Sequence, residues 1–538
     1  MATKTSVLAT EDNHHGEPAT GHYSIVRKST NLDRMFYLYH RLGIQSNVLV
    51  AARYATTRPG DQHVLSNEAI FSALHAVVSA YPELGIVGAM EPGPENKNLL
   101  SLASLHTIDL DSCVEFIDDD KQKVDAEFLG RLHSQWLWAE GEIKPGQPWW
   151  KVIVLGRQDV VFLFHHLVCD GSFGMDFHRE FLAALNASAA NESQQQTPHS
   201  VQLNPGRVKL SEKLEATMHA KPPMFGVICN LFKFLFYRFF YAKKLLFTNF
   251  PKPGPPVKNL NVAQHAERTV TKVTTYRISA EKTNAIIAAC RAHGTTFTPF
   301  FTVLVAGTLA ADFYPEAEVG FTRYAVDMRA AGCIENPPAG QGRVINSAAS
   351  LPQPEWLKKY HRAFPPPATP KEKHPAHANM AVVDAKAAWK LINHYGKRMK
   401  KARAGGHESQ LYKAWISGNA LGPSLEEMVE KSFPSMGLFM QNSFSVSNVG
   451  VLKPAAMPSG AGEPAFRIDD VQFSAGPIQG TVGYHGIVFN IVGVAGGGTV
   501  INACTEEGVA PEGMSRAVLD GVMARINALL QGDSSDEP

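Results

Sequence analysis

Two adjacent histidines followed by an Asp-Gly pair are the residues of this chain with the clearest capacity for chemistry. His165 and His166 come directly after an apolar run at 160–164, and Asp170 and Gly171 follow closely. Imidazole suits proton transfer because its ordinary pKa lies near physiological pH. The pattern therefore predicts a general base at a cleft, with the turn through Asp170 and Gly171 holding it in place.

The flanking sequence predicts the elements that position this pair. Residues 160–164 are apolar and rich in Val and Phe, which indicates a buried strand. Ser172 is predicted to cap the next helix. One face of that helix carries Phe177, Phe181, Leu182 and Leu185. Because side chains alternate across a strand, only one of the two histidines can face a given cavity. The alternative interpretation is that the histidine only packs in the core and has no catalytic role.

Residues 165–171 resemble the HHxxxDG signature of the chloramphenicol-acetyltransferase-like superfamily. This group includes plant HxxxD acyltransferases, condensation domains and fungal alcohol acetyltransferases. The fungal alcohol acetyltransferase branch is most similar, because looser likenesses follow in the same order along most of 32–530. These lie at 32–52, 148–152, 296–309, 325–329 and 444–450. Residues 471–476 stand where plant relatives carry DFGWG, and its absence argues against the plant subfamily.

The resemblance implies a fold and a reaction. The fold is α/β, with two chloramphenicol-acetyltransferase-like sandwich domains and an active-site tunnel at their interface. The reaction moves an acetyl group from acetyl-CoA, or another acyl group from an acyl-CoA, to a hydroxyl of a small molecule. His166 is the expected general base, in a ternary complex without an acyl-enzyme. His165 and Gly171 are expected to support it. The acyl-CoA is a co-substrate, and neither a metal ion nor a permanently bound cofactor is expected.

The resemblance also implies a brace between the two domains. The motif aspartate, Asp170, is expected to point away from the reacting atoms and to pair with an arginine of the second domain. Arg329 is the candidate, and a bidentate, buried ion pair would hold the turn that carries His166. Asp327 is the competing partner for Arg329 because it is nearer in sequence.

A predicted strand at 444–448 supplies candidates for stabilising the oxyanion. Ser445 and Ser447 share one face of this strand, and Asn448 follows. A hydroxyl or amide group here can donate to the oxygen of a tetrahedral intermediate. Ordinary hydrogen bonding within the sheet is the alternative interpretation.

The sequence is also compatible with three other functions. An amine acceptor would use the same residues, and a condensation-type catalyst would take its acyl group from a carrier protein. A non-catalytic binding protein with this fold is the third, although the intact signature argues against it. Cys169 lies close enough to His166 in sequence to suggest a thiol nucleophile, but the resemblance treats that position as variable.

Length and composition limit the class of protein. The chain has 538 residues, which is long for one core and predicts two domains. We expect an N-terminal domain at 23–204, a crossover at 205–260 and a C-terminal domain at 261–531, with disordered ends at 1–22 and 532–538. A net charge of +1 gives no electrostatic reason to expect nucleic acid. Scattered cysteines without metal spacing predict reduced thiols, and no apolar leader is apparent, so we expect a cytoplasmic location. We also expect a monomer.

Residues 224–247 are the part of the chain that this function does not explain. On a helix, Asn230, Lys233, Tyr237, Tyr241 and Lys244 form a narrow polar stripe, and nearly all other residues are apolar. The basic residues interrupt the segment too often for a membrane span. Two interpretations remain: a peripheral helix on the endoplasmic reticulum or a lipid droplet, or a helix packed over the domain junction as a lid.

Overall fold

The computed structural model describes most of the chain. The described residues are 21–57, 65–92, 98–119, 122–190, 197–208, 210, 224–241, 244, 246, 270–329, 345–366, 382–403, 442–454, 463–478, 485–507 and 510–534. Residues 251–256, PKPGPP, whose composition predicts a stiff linker within the crossover, lie outside them. So do the boundary at 261 and most of the two predicted disordered ends. The last helix continues to Ser534, so the predicted tail at 532–538 begins too early.

Strands and helices are interspersed along the described chain. The strands are β1 (Tyr23–Lys28), β2 (Val48–Thr56), β3 (Ile86–Pro92), β4 (Asn98–Leu105), β5 (Thr107–Asp109), β6 (Val114–Ile117), β7 (Trp150–Leu155), β8 (Asp159–Phe164), β9 (Ser200–Gln202), β10 (Thr271–Ile278), β11 (Val319–Asp327), β12 (Ala348–Trp356), β13 (Asn442–Leu452), β14 (Phe466–Ala475), β15 (His485–Val494) and β16 (Thr499–Glu506). The helices are α1 (Asn31–Arg41), α2 (Asn67–Ala80), α3 (Leu110–Cys113), α4 (Ala126–His133), α5 (Gly171–Ala190), α6 (Met224–Tyr241), α7 (Ala280–Ala292), α8 (Phe297–Thr308), α9 (Lys358–Ala363), α10 (Ala385–Arg403) and α11 (Met514–Ser534).

Two larger sheets organise the molecule, one in each half. The first has the order β14-β2-β8-β7-β6, and the second has the order β10-β16-β15-β13-β11-β12. Each is mixed, since β6 pairs with β7 in parallel and β13 pairs in parallel with both β11 and β15. This is the predicted α/β class with two sheet-and-helix units. Every residue of β8 is buried, as its continuous apolar sequence predicts.

One strand of the C-terminal half belongs to the first sheet. β14 pairs with β2 over its whole length, from Phe466 opposite Thr56 to Ala475 opposite Val48. The predicted C-terminal domain at 261–531 therefore does not keep all of its strands, because β14 completes the edge of the first sheet. This exchange joins the halves by backbone hydrogen bonds, a pairing that no local pattern in 466–475 discloses. The domain boundaries themselves stay a prediction.

Local sequence explains how α1 and the β7–β8 hairpin begin. Thr30 caps α1 through a capping box with Asp33, whose carboxylate accepts from the Thr30 backbone N–H at 2.9 Å. Between β7 and β8 the backbone reverses at Gly156 and Arg157, both with positive φ. On the sequence, Thr298 directly before Pro299 is the expected cap of α8, but the helix already begins at Phe297 and Thr296 occupies the N-cap position.

Among the described helices, none is by itself both long and apolar enough to cross a membrane. α7 and the continuous helical segment 297–313 pass that test of length and composition only as a pair, with a bend of 99° between them.

Two buried histidines make the fold sensitive to acid. The rings of His133 and His178 are enclosed, and burial lowers the pKa of each to about 4. The unfolded chain takes up their protons near pH 6.5, so stability falls as the pH drops from 6.5 towards 4. We expect a loss of roughly 2 kcal/mol for each histidine between pH 7 and pH 5, measured by urea unfolding.

Matched variants separate this effect from general acid weakening. His178→Gln is expected to make the free energy of unfolding less dependent on pH, whereas Gln135→Ala, which changes an exposed side chain without a titratable group, is expected to leave the dependence as it is. Equal unfolding midpoints at pH 7 and pH 5 in the unaltered chain would contradict the prediction.

Candidate active site

The histidine pair lies in a turn between β8 and α5. β8 ends at Phe164, the turn holds His165 and His166, and α5 begins at Gly171. Asp170 caps α5, because its Oδ1 accepts from the Phe173 backbone N–H at 3.0 Å. The prediction that Ser172 is the cap is therefore wrong. Asp170 is both the motif carboxylate and the residue that starts the helix.

His165 points into the protein. It is 1% exposed and packs among aromatic rings, with the centroid of His40 at 4.5 Å and that of Trp149 at 5.1 Å. Its Nδ1 accepts from the Leu167 backbone N–H at 2.9 Å, which places the proton of the neutral ring on Nε2. Burial holds the pKa of His165 well below its ordinary value, and the neighbouring histidines lower it further. His165 is thus a neutral residue that shapes the turn.

His166 is half-buried and is the more exposed of the two histidines. One face of its ring stacks on Phe36 of α1, with centroids 3.8 Å apart and planes inclined by 11°. Its Nδ1 is buried, which leaves Nε2 as the nitrogen that can meet a substrate. Burial lowers the pKa of His166, while Asp170 and the backbone of His166 and Cys169 raise it in part. The ring is therefore a neutral proton acceptor at physiological pH.

A buried ion pair joins the motif to the second half of the chain. Arg329 Nη2 lies 3.1 Å from Asp170 Oδ2, and Arg329 Nη1 lies 3.1 Å from Asp327 Oδ1. The predicted contact between Asp170 and Arg329 is present, and the same guanidinium also contacts Asp327, the competing partner. Burial would lower the pKa of Arg329, and both carboxylates raise it above its ordinary value.

A short segment, Ile345, Asn346 and Ser347, lies against the motif turn and was missed on the sequence. The Asp170 N–H donates to the Ile345 carbonyl at 3.1 Å, and the Ser347 N–H donates to Asp170 Oδ2 at 2.8 Å. The Asn346 side-chain amide donates to the carbonyl of His166. Since these bonds come mostly from the backbone, almost any side chains could make them. Asn346 is the residue whose polar side chain could have indicated this contact from the sequence.

β13 approaches the site near Gly171. A Cβ atom added at Gly171 would lie 2.8 Å from the Phe473 ring and 2.9 Å from Val449 Cγ1, so this position needs glycine for close packing. Of the predicted oxyanion donors on β13, Ser445 is buried and Ser447 is half-buried. The Asn448 amide donates to Thr298 Oγ1 at 3.0 Å. The strand is thus near the motif, and the roles of these three residues stay a prediction.

No group of three or more His, Cys, Asp or Glu side chains in the described part of the chain is arranged to hold a metal ion. The predicted tunnel and the residues that would bind CoA remain predictions.

The lowered pKa of His166 gives a testable pH profile. Protonated His166 cannot accept a proton, so kcat/KM is expected to rise with pH along a limb whose midpoint lies below 6.5, and to be level at neutral pH. Asp170→Asn removes a charge that raises this pKa and is expected to move the midpoint further down. A limb centred above pH 6.5 would show that another group is the base.

Part of the sequence matches a family model and a curated protein. Residues 90–332 match the family model of alcohol acetyltransferase. An uncharacterized protein of Schizosaccharomyces pombe is 28% identical over 215 residues, which are 40% of this chain and 41% of that protein. The match therefore spans about two fifths of the length of this curated relative.

Solved structures share the fold along nearly the whole chain. A trichothecene 15-O-acetyltransferase from Fusarium sporotrichioides has a TM-score of 0.62 at 11% identity, with 95% of this chain and 96% of that chain covered. The first condensation domain of the CDA synthetase has a TM-score of 0.51 at 13% identity, with 94% and 98% covered. Residues 90–332 are therefore similar to the alcohol acetyltransferase family, and the chain shares its fold with a solved acetyltransferase and a condensation domain.

Proposed function

We propose that this protein transfers an acetyl group from acetyl-CoA to a hydroxyl of a small molecule. The observation that carries the proposal is the state of His166: a half-buried, neutral imidazole with Nδ1 buried, presented by a turn that both halves of the chain hold. A neutral imidazole with one available nitrogen is the group that removes a hydroxyl proton. The family match to alcohol acetyltransferases supports the acetyl group and the hydroxyl acceptor.

In the proposed reaction, His166 Nε2 accepts the hydroxyl proton as the acceptor oxygen attacks the thioester carbonyl carbon. A carbon–oxygen bond forms, and the carbonyl electrons move onto the oxygen of a tetrahedral intermediate. Donors on β13, Ser447 or Asn448, are our candidates for stabilising that negative charge. The intermediate then collapses, the carbon–sulfur bond breaks, and the imidazolium returns its proton to the CoA thiolate.

The surroundings of Cys169 favour this direct transfer over an acyl-enzyme. Its side chain is fully buried, and burial raises the pKa of its thiol well above the ordinary value. The nearby Asp170 raises the pKa further, and Arg329 only partly opposes this effect. Because the thiolate is the nucleophilic form, a buried protonated thiol is a poor candidate for attack on the thioester.

A product screen tests both donor and acceptor. The full chain is incubated with acetyl-CoA and panels of fungal alcohols, sterols and amines, and mass spectrometry records the gain of one acetyl group. An ester product supports the proposal. An amide product would show that the acceptor is an amine and not an alcohol. Product that forms only when an acyl carrier protein supplies the acyl group would overturn acetyl-CoA as the proposed donor. Cys169→Ala is expected to remain active, and the unaltered protein is expected to gain no acetyl group when the acceptor is omitted.

A further inference from the structure

Helix α6 exposes a continuous row of large apolar side chains, which we call the aromatic face. Its members are Phe225 (76% exposed), Ile228 (43%), Phe232 (67%), Phe236 (45%), Phe239 (76%) and Phe240 (72%). The first five follow one another at intervals of 3, 4, 4 and 3 residues, so they lie on one side of the helix. A contiguous apolar patch of this kind marks a surface that meets a partner or a lipid.

The opposite side of α6 fixes the helix to the second sheet. Tyr237 is buried and packs edge-to-face on Phe321 and Trp356, with ring centroids at 5.8 Å and 5.3 Å. Tyr241 packs on Trp356 at 5.0 Å. The tyrosines of the predicted polar stripe therefore face the protein, and the phenylalanines of the aromatic face point outwards. The aromatic face is thus presented by an anchored helix.

A row of positive charges lies beside this helix. We call it the basic stripe: Lys386, Lys390, Lys397 and Lys401 of α10, all exposed and spaced by 4, 7 and 4 residues. No acidic residue occurs in α10. His394 lies between these lysines, and after burial the surrounding cations lower its pKa, so the lysines carry the positive charge of this face.

The aromatic face and the basic stripe are attached to the same end of β12. Arg398 of α10 bonds to the Pro354 carbonyl at 3.3 Å and to Glu355, the residues before the Trp356 that anchors α6. Residues 216–266, which include α6, contain seven lysines and arginines and no acidic residue. Positive charge therefore accompanies the apolar row both along the chain and in space.

We propose that the aromatic face and the basic stripe together bind the surface of an anionic lipid bilayer. The phenylalanine rings enter the boundary between headgroups and acyl chains, and the lysines contact lipid phosphates, the arrangement typical of interfacial helices. A second copy of this chain fits less well, because a two-fold dimer through this surface would bring like charges together. This inference does not depend on the proposed acyl transfer.

Co-sedimentation of the full chain with vesicles tests the proposal. We expect binding to phosphatidylcholine vesicles that contain phosphatidylserine, and much weaker binding without it. Phe232→Ser/Phe239→Ser is expected to lower the partition coefficient at least about tenfold. Lys390→Gln/Lys397→Gln is expected to lower it by roughly fivefold per lysine on anionic vesicles only. Met90→Ser/Leu99→Ser, which removes two half-exposed apolar side chains from the β3–β4 hairpin, is the matched control and is expected to bind normally.

A label on α6 shows whether this helix is the part that enters the bilayer. Cys229 is exposed on α6 and carries an environment-sensitive dye in a Cys333→Ser background. We expect brominated lipids in anionic vesicles to quench the dye. Binding that the phenylalanine variant leaves unchanged would overturn the proposal, and so would absence of binding to every vesicle. Lipid-independent dimerisation that the same variant abolishes would overturn it in favour of a second copy.

Discussion

Replacing His166 by alanine is expected to lower kcat for acetyl transfer by about 10³-fold, within the usual range for loss of a general base. The imidazole is the proposed acceptor of the hydroxyl proton, and water in the vacated space would be a weaker and poorly placed base. Release of thiol from acetyl-CoA in the presence of a responsive acceptor measures the effect. KM for acetyl-CoA is expected to change little, because the residue acts on the acceptor's proton.

The control for this experiment is another histidine variant, His199→Ala, at a half-exposed site that pairs with Asp111. It is expected to keep full activity. The His166 variant should also keep its unfolding midpoint near that of the unaltered chain, since the ring is half-buried and its stacking on Phe36 is one contact. Unchanged thiol release from folded His166→Ala would end the proposed mechanism, whatever the product.

Replacing Arg329 by methionine is expected to lower the free energy of unfolding by about 3–5 kcal/mol. The side chain of Arg329 is 10% exposed and that of Asp170 is 4% exposed, so the change leaves a carboxylate buried without its cation. The turn that carries His166 is expected to loosen as well, with a lower kcat in the protein that remains folded. Urea unfolding and thiol release measure the two effects separately.

Two further variants test whether the buried carboxylate of Asp170, left without its cation, causes the loss of stability in Arg329→Met. Arg467→Met removes a cation that pairs with Asp469 at the surface, and it is expected to leave the unfolding midpoint nearly unchanged. Asp170→Asn/Arg329→Met leaves no uncompensated charge and is expected to recover part of the stability lost in Arg329→Met. A double variant less stable than Arg329→Met would contradict the charge argument and indicate that Asp170 acts mainly as the cap of α5.

The sequence alone predicted the part of the site that is continuous in the chain. The apolar run predicted β8, the HHxxxDG signature predicted the turn, and helical periodicity predicted α5. These succeed because strand alternation, turn residues and amphipathic spacing are local properties. Even the contact between Asp170 and Arg329 was predicted, because the resemblance supplied a partner type and Arg329 stood in a matching segment. The prediction that Ser172 caps α5 was wrong because Asp170, in the turn before the helix, is better placed to accept a hydrogen bond from the Phe173 backbone N–H.

Only the tertiary structure showed what surrounds the histidine. Phe36 lies far from His166 in sequence, residues 345–347 hold the turn largely through backbone atoms, and β14 joins the first sheet from the other half of the chain. On α6 the same patterns also left open which side faces the protein, and packing of Tyr237 on Trp356 decided it. Pairing between distant segments depends on shape and backbone hydrogen bonds, which a residue's own neighbours in the chain do not record.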